Sequence, residues 1–197
     1  MYTSGMAQTG LRERSKARRR AAIIRASYEL FAERGYDATT VADIAEAAEV
    51  APRTVAMYFP AKQDIALSQF SEGVAALTAA IRDRQPGERL YDVFGRWLLT
   101  RLTEPEDREE YRLARRMFAA NPDLGALRTA RMAAVIRDGA ALIADETGSP
   151  PDAIAPRIAA AAVGAIAMEI IDTEPGAERE EAVAAAMRFL EAGTAAL

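Results

Sequence analysis

Apolar residues recur along this chain at steps of three and four, the signature of helices that bury one face. Ile23, Ile24, Ser27, Tyr28, Leu30 and Phe31 fall on one side of a helix predicted from Ser15 and stopped by Gly35. The residues before it, to about position 14, are small or polar without a period and are predicted to form a disordered arm. Thr40 followed by Asp43 reads as a capping-box variant that opens a second helix of barely two turns, with Val41, Ile44, Ala45 and Ala48 inward. Pro52 suits the first position of a third helix, which must end before Pro60. From Ala61 onward the pattern stays helical, with breaks at Pro86-Gly87, Pro105, Asn121-Pro122, Gly148 to Pro151 and Pro175-Gly176. No stretch alternates with period two, so the predicted class is all-α. The alanine-rich run 153–167 reads as tight helix packing.

A helix of two turns, a short turn and a second helix with polar side chains at its start is the geometry that enters a DNA major groove. The segment is TTVADIAEAAEVAPRTVAMYFPAKQDI, residues 39–65. Ile44, Ala45, Ala48, Val50, Val55 and Phe59 are predicted to form its small core. Arg53 and Thr54 sit in the first turn of the third helix, where side chains and backbone N–H groups can face phosphates and base edges. Arg53 is the candidate for a bidentate guanine contact. Met57 lies off the Val55–Phe59 face, either touching a thymine methyl or lining the core rim. Thr40 can cap its helix and also reach a phosphate.

Charge distribution changes the picture more than composition does. The net charge of −4 argues against nucleic acid, yet residues 1–62 carry +3 and the remainder −7. Arg12, Arg14, Lys16, Arg18, Arg19 and Arg20, opposed by Glu13, either follow a DNA backbone or are solvated. Cysteine and histidine are absent, which removes disulfides, thiolate and imidazole metal sites and histidine acid–base chemistry. Neither lysine, Lys16 or Lys62, has an apolar setting that would make it a nucleophile. No catalytic residue, metal or cofactor is therefore expected, and the chain is read as not an enzyme. No uninterrupted apolar run reaches membrane-span length and no signal-peptide pattern is visible, so no membrane partner and a cytoplasmic location are expected.

The same segment, with ELFAERGYDATT before it, resembles the signature of the TetR family. Phe31, Gly35, Thr40, Ile44, Ala45, Ala48, Val50, Thr54, Tyr58, Phe59 and Lys62 carry the likeness, over about residues 17–77. The resemblance implies a helix-turn-helix DNA-binding domain at 17–77, with its motif at 40–59, and a helical ligand-binding and dimerisation domain at 78–197. It implies DNA contacts from Thr40, Arg53, Thr54, Met57, Tyr58 and Lys62, with Tyr58 and Lys62 on phosphates. It implies a homodimer through about residues 151–195, whose apolar Ile154, Ile158, Ala162, Ala165, Ile166, Met168 and Ile170 call for a cover. Phe94, Trp97, Arg101, Met117, Phe118, Met132 and Ile136 are the corresponding candidates for an effector pocket, or simply core. Arg101, Arg115 and Arg116 could neutralise an anionic ligand or remain surface charges. Residues 121–166 loosely resemble a branch assigned to acyl-CoA-like ligands. The implied function is a ligand-responsive repressor on a double-stranded palindromic operator. An activator on the same scaffold is the alternative, and a small-molecule-binding protein with a vestigial DNA module a more distant one. Three residues depart from the family pattern: Glu49 where the turn usually has glycine, Ala51 where a capping hydroxyl is frequent, and Ala56 where a larger contact residue is common.

Overall fold

A computed structural model describes residues 4–103, 108–150, 152–173 and 176–194. Among them there are ten helices and no strand: α1 Ser4–Arg34, α2 Val41–Ala47, α3 Pro52–Tyr58, α4 Lys62–Ala66, α5 Ser68–Arg82, α6 Leu90–Thr103, α7 Arg108–Ala120, α8 Pro122–Thr147, α9 Ile154–Asp172 and α10 Ala177–Thr194. The expected breaks at Pro105 and Pro175 lie outside the described residues. One expectation is overturned: α1 begins at Ser4, so residues 4–14 are helical and not a disordered arm, while residues 1–3 lie outside the described residues. Its alanine, leucine, glutamine, glutamate and arginine residues are good helix formers, and they extend a helix whose costly nucleus is already fixed downstream.

The chain divides into two compact units. One contains α1 to α4 with α7; the other contains most of α5, α6, most of α8, α9 and α10. In the first unit, the whole apolar face foreseen for α1 is buried, Ile23, Tyr28 and Phe31 completely. It packs on α2, α4 and α7, where Leu113, Ala114 and Met117 are buried in turn. Burying one such large apolar side chain is worth about 1.5–3 kcal/mol, so α1 is the beam on which the short helices hang. Three buried hydroxyls are satisfied within this core. The Tyr28 and Ser68 hydroxyls share a 2.9 Å hydrogen bond, and Ser27 Oγ donates to the Ile23 carbonyl at 2.7 Å.

In the second unit, Phe94 and Leu98 of α6 meet Ala167 and Ile170 of α9 and Val183, Ala186 and Leu190 of α10. Glycines permit close approach here. A Cβ at Gly164 would stand 2.8 Å from Ile136 Cγ1, and Gly95 leaves room for Met187 against the α6 backbone. Arg128 of α8 forks onto the Asp172 carboxylate at 2.8 and 2.6 Å. The buried Arg179 donates through Nε to the Thr173 carbonyl at 2.9 Å, securing the end of α9. Only part of the alanine-rich run is tight packing: Ala160 and Ala167 are buried, whereas Ala155, Ala161 and Ala165 are exposed. α9 is also long and apolar enough to pass as a membrane span by length and composition alone, a test that the core helix of a soluble protein passes as well.

Candidate nucleic-acid interface

The helix-turn-helix is assembled from local signals. Asp43 N–H donates to Thr40 Oγ1 at 3.2 Å, and Thr40 N–H returns a bond to Asp43 Oδ2 at 2.7 Å. This capping box fixes where α2 begins. The Thr40 hydroxyl, and then its backbone N–H, stabilise the Asp43 carboxylate and hold its pKa below the usual range. At the other end of α2, Val50 N–H reaches the Ala45 carbonyl and Glu49 N–H the Glu46 carbonyl, which together make a Schellman turn. Glu49 closes it at φ 54°, the left-handed region that favours glycine, so the chain tolerates a strain of about 1–2 kcal/mol there. Ala51 provides no side-chain cap to α3, and Pro52 at its start lacks only an N–H that would go unbonded anyway.

Within α3 the period separates roles. Val55 and Phe59, four apart, are buried with Ile44 and Ala45, while Ala48 and Val50 are half-buried at the rim of the same small core. Arg53 and Met57, also four apart, point outward, and Met57 is 71% exposed. Thr54 and Tyr58 flank that row, half-buried. A surface with one guanidinium, one flexible apolar tip and two hydroxyls can offer donors to base edges and phosphates and an apolar contact to a thymine methyl. Thr40 is exposed beside it at the start of α2.

Lys62 is placed differently from a free clamp. Its ammonium donates to the carbonyls of Tyr36 at 2.6 Å and Thr39 at 2.8 Å, and lies 4.2 Å above the Tyr36 ring. Two of its three N–H bonds thus fasten the turn that leads into Thr40. From the opposite direction, the buried Asn121 holds the same turn. Its Oδ1 accepts the Tyr36 N–H at 2.6 Å, and its Nδ2 donates to the carbonyls of Phe31 and Met117, each at 2.8 Å. Thr39 Oγ1 adds a bond to the Gly35 carbonyl at 2.8 Å. Burial, followed by the Asp37 and Asp64 carboxylates, raises the Tyr36 pKa. Sequence reasoning missed Tyr36, Thr39 and Asn121 in this role. Asn121 stood out there only as half of an Asn-Pro helix break, with nothing to say that it docks 85 residues back.

The effector-pocket candidates are spread over both units. Phe94 is buried and Trp97 half-buried, their rings 5.6 Å apart in the second unit. Met132 and Ile136 of α8 face Gly164 of α9 in that unit. Met117 is wholly buried, and both it and the half-buried Phe118 belong to the first unit. The side chain of Arg101 lies outside the described residues. Trp97 Nε1 is buried without a hydrogen-bond partner. Among the described residues, no three metal-binding side chains cluster.

A two-turn helix capped at Thr40, a strained turn and a second helix with its polar row outward define a helix-turn-helix DNA-binding regulator. Residues 23–68 match the family profile described as bacterial regulatory proteins of the tetR family, and residues 99–195 match an MftR C-terminal domain. The chain is 46% identical over 79 residues to the HTH-type transcriptional regulator TcmR of Streptomyces glaucescens, covering 40% of this chain and 35% of that relative. The match therefore spans about a third of the curated relative's length. Among solved structures, GusR of Salmonella enterica aligns with a TM-score of 0.57 at 20% identity, over 87% of this chain and 93% of that one. NalD of Pseudomonas aeruginosa, described as the secondary repressor of the MexAB-OprM multidrug efflux pump, aligns at 0.54 and 24% identity over 86% and 95%. At those identities the two structures attest the fold. The chain belongs to the TetR family of bacterial transcriptional regulators.

Proposed function

We propose that the protein is a ligand-responsive repressor that binds a palindromic operator as a homodimer, with residues 17–77 reading DNA and 78–197 sensing and pairing. The observation that carries it is the outward row of α3, with Arg53 and Met57 exposed above a buried Val55–Phe59 seam. Arg53 takes the guanine contact, Met57 an apolar base contact, and Thr54, Tyr58 and Thr40 the phosphates. Lys62 keeps one N–H for a phosphate while its other two set the angle of the motif.

One such helix reads few base pairs, so specificity calls for two copies about one helical turn apart. Exposed apolar side chains on α9 and α10 support that pairing: Ile154 and Ile158 are 62% and 61% exposed, and Phe189 is 61% exposed. Ile170, by contrast, is used inside its own unit. Phe94, Trp97, Arg101, Met117, Phe118, Met132 and Ile136 are the candidates to line an effector site, for which an acyl thioester is one ligand class. The repressor part of the proposal is suggested by the likeness to NalD, itself a secondary repressor of an efflux pump. The protein acts by binding rather than catalysis, in the cytoplasm where its DNA is.

Footprinting on DNA upstream of its own gene tests the reading. Protection of two inverted half-sites about 10 base pairs apart is expected. Uniform protection that random-sequence competitor abolishes would contradict it.

A further inference from the structure

α1 runs well beyond the part that packs. The helix begins at Ser4, no residue from Arg12 to Ala22 is buried, and the buried row starts at Ile23. At steps of three and four residues, the row of Ile23, Ser27 and Leu30 continues backward through Arg20, Arg19, Lys16 and Arg12. Glu13 is the one carboxylate at the edge of this row. Arg14 and Arg18 lie on the opposite side, in line with the exposed Ala22 and Arg25. The face that buries the core downstream thus becomes a basic stripe upstream, and Arg12, Lys16 and Arg19 are exposed on it.

The stripe also has an address. Arg20 Cζ stands 5.1 Å over the ring of Phe59, the residue that closes α3. From that point Arg19 to Arg12 extends about 10 Å at 1.5 Å per residue. A DNA strand offers one phosphate per about 3.4 Å of axis, so three cations over that length meet a matching charge density. Like charges four apart on one helix face repel by a few tenths of a kcal/mol, a cost that a polyanion relieves.

We infer that Arg12, Lys16 and Arg19 form a second DNA-binding surface, which holds backbone phosphates flanking the segment read by α3. This rests on the DNA-reading role proposed above, but the surface is blind to sequence. Its test therefore needs no operator. The full chain is titrated onto a random-sequence duplex, and onto the footprinted DNA, at salt concentrations from about 50 to 200 mM. Alanine is a good helix former, so R12A/K16A/R19A should keep its helix content by circular dichroism. This variant is expected to flatten the slope of log affinity against log salt by about 2.7 per bound chain. It should weaken both DNAs alike and leave their affinity ratio unchanged. R14A/R18A, on the far side, should change the slope by less than about 0.9, the value of one phosphate contact. A wild-type slope in the triple variant, or an equal flattening in the double variant, would overturn the proposal. Wild-type protein that binds both DNAs equally would sink the α3 reading, while flattening by the triple variant alone would still uphold the stripe.

Discussion

The two units meet the problem of a small core in opposite ways. The first closes on itself through directed polar bonds: Asn121 and Lys62 seize the turn between α1 and α2 from two sides, and Thr40 and Asp43 cap the helix that follows. The second relies mainly on apolar packing of α6, α9 and α10, with Arg128–Asp172 and Arg179–Thr173 as directed bonds at the end of α9, and leaves Ile154, Ile158 and Phe189 in the open. A unit that must present one helix at a fixed angle needs hydrogen bonds, because their geometry tolerates little drift. A unit proposed to pair with a copy and to rearrange around an effector is better served by undirected apolar contact.

The largest effect should come from breaking the second arrangement. Ile158→Asp with Phe189→Asp removes two apolar side chains from each copy of the α9–α10 surface, where full burial of each is worth about 1.5–3 kcal/mol. Sedimentation should find monomers at concentrations where the parent is dimeric, a rise of more than about 10²-fold in dissociation constant. A dimer that persists would mean the surface pairs with nothing. Next is Asn121→Ala, which strips the Tyr36 N–H of its acceptor and the Phe31 and Met117 carbonyls of a donor. Leaving buried groups unbonded costs about 2–3 kcal/mol, readable as a lower urea midpoint. An unchanged midpoint would show that the turn is not held from this side.

Thr40→Ala should cost about 1 kcal/mol through the lost cap. The capping box also has a pH signature. Because the folded state depresses the Asp43 pKa, its contribution is fully present above the ordinary carboxylate range and fades as pH falls through the lowered value. The stability gap between parent and Thr40→Ala should therefore narrow on acidification below about pH 4. A gap constant down to acid would remove Asp43 from the cap. The smallest effect has the opposite sign: Glu49→Gly relieves the left-handed strain and should stabilise by about 0.5–1 kcal/mol. Destabilisation would mean that the glutamate side chain contributes more than its backbone costs.

What was legible in the sequence follows the same divide. Thr40, Asp43, Pro52 and Pro60 act within a few residues of themselves, so the limits of α2 and α3 and the outward direction of Arg53 and Met57 could be read directly. The strain at Glu49 could also be anticipated, since a Schellman turn asks for glycine there. Asn121 and Lys62 act through backbone groups 85 and 26 residues away, and no local spacing encodes such a bond. For the same reason α7 was not foreseen as part of the first unit. The basic start of α1 was misread because its period lies in charge rather than in apolar residues.

In the proposed function, α3 reads bases through Arg53. Its most direct test is the ratio of affinities for footprinted and random-sequence duplex, measured for the parent and for Arg53→Ala at one salt concentration. Loss of a bidentate base contact worth about 1–3 kcal/mol should lower that ratio by about 5- to 150-fold. A variant that weakens both duplexes equally and keeps the parent ratio would contradict it, and would reduce Arg53 to one more phosphate contact.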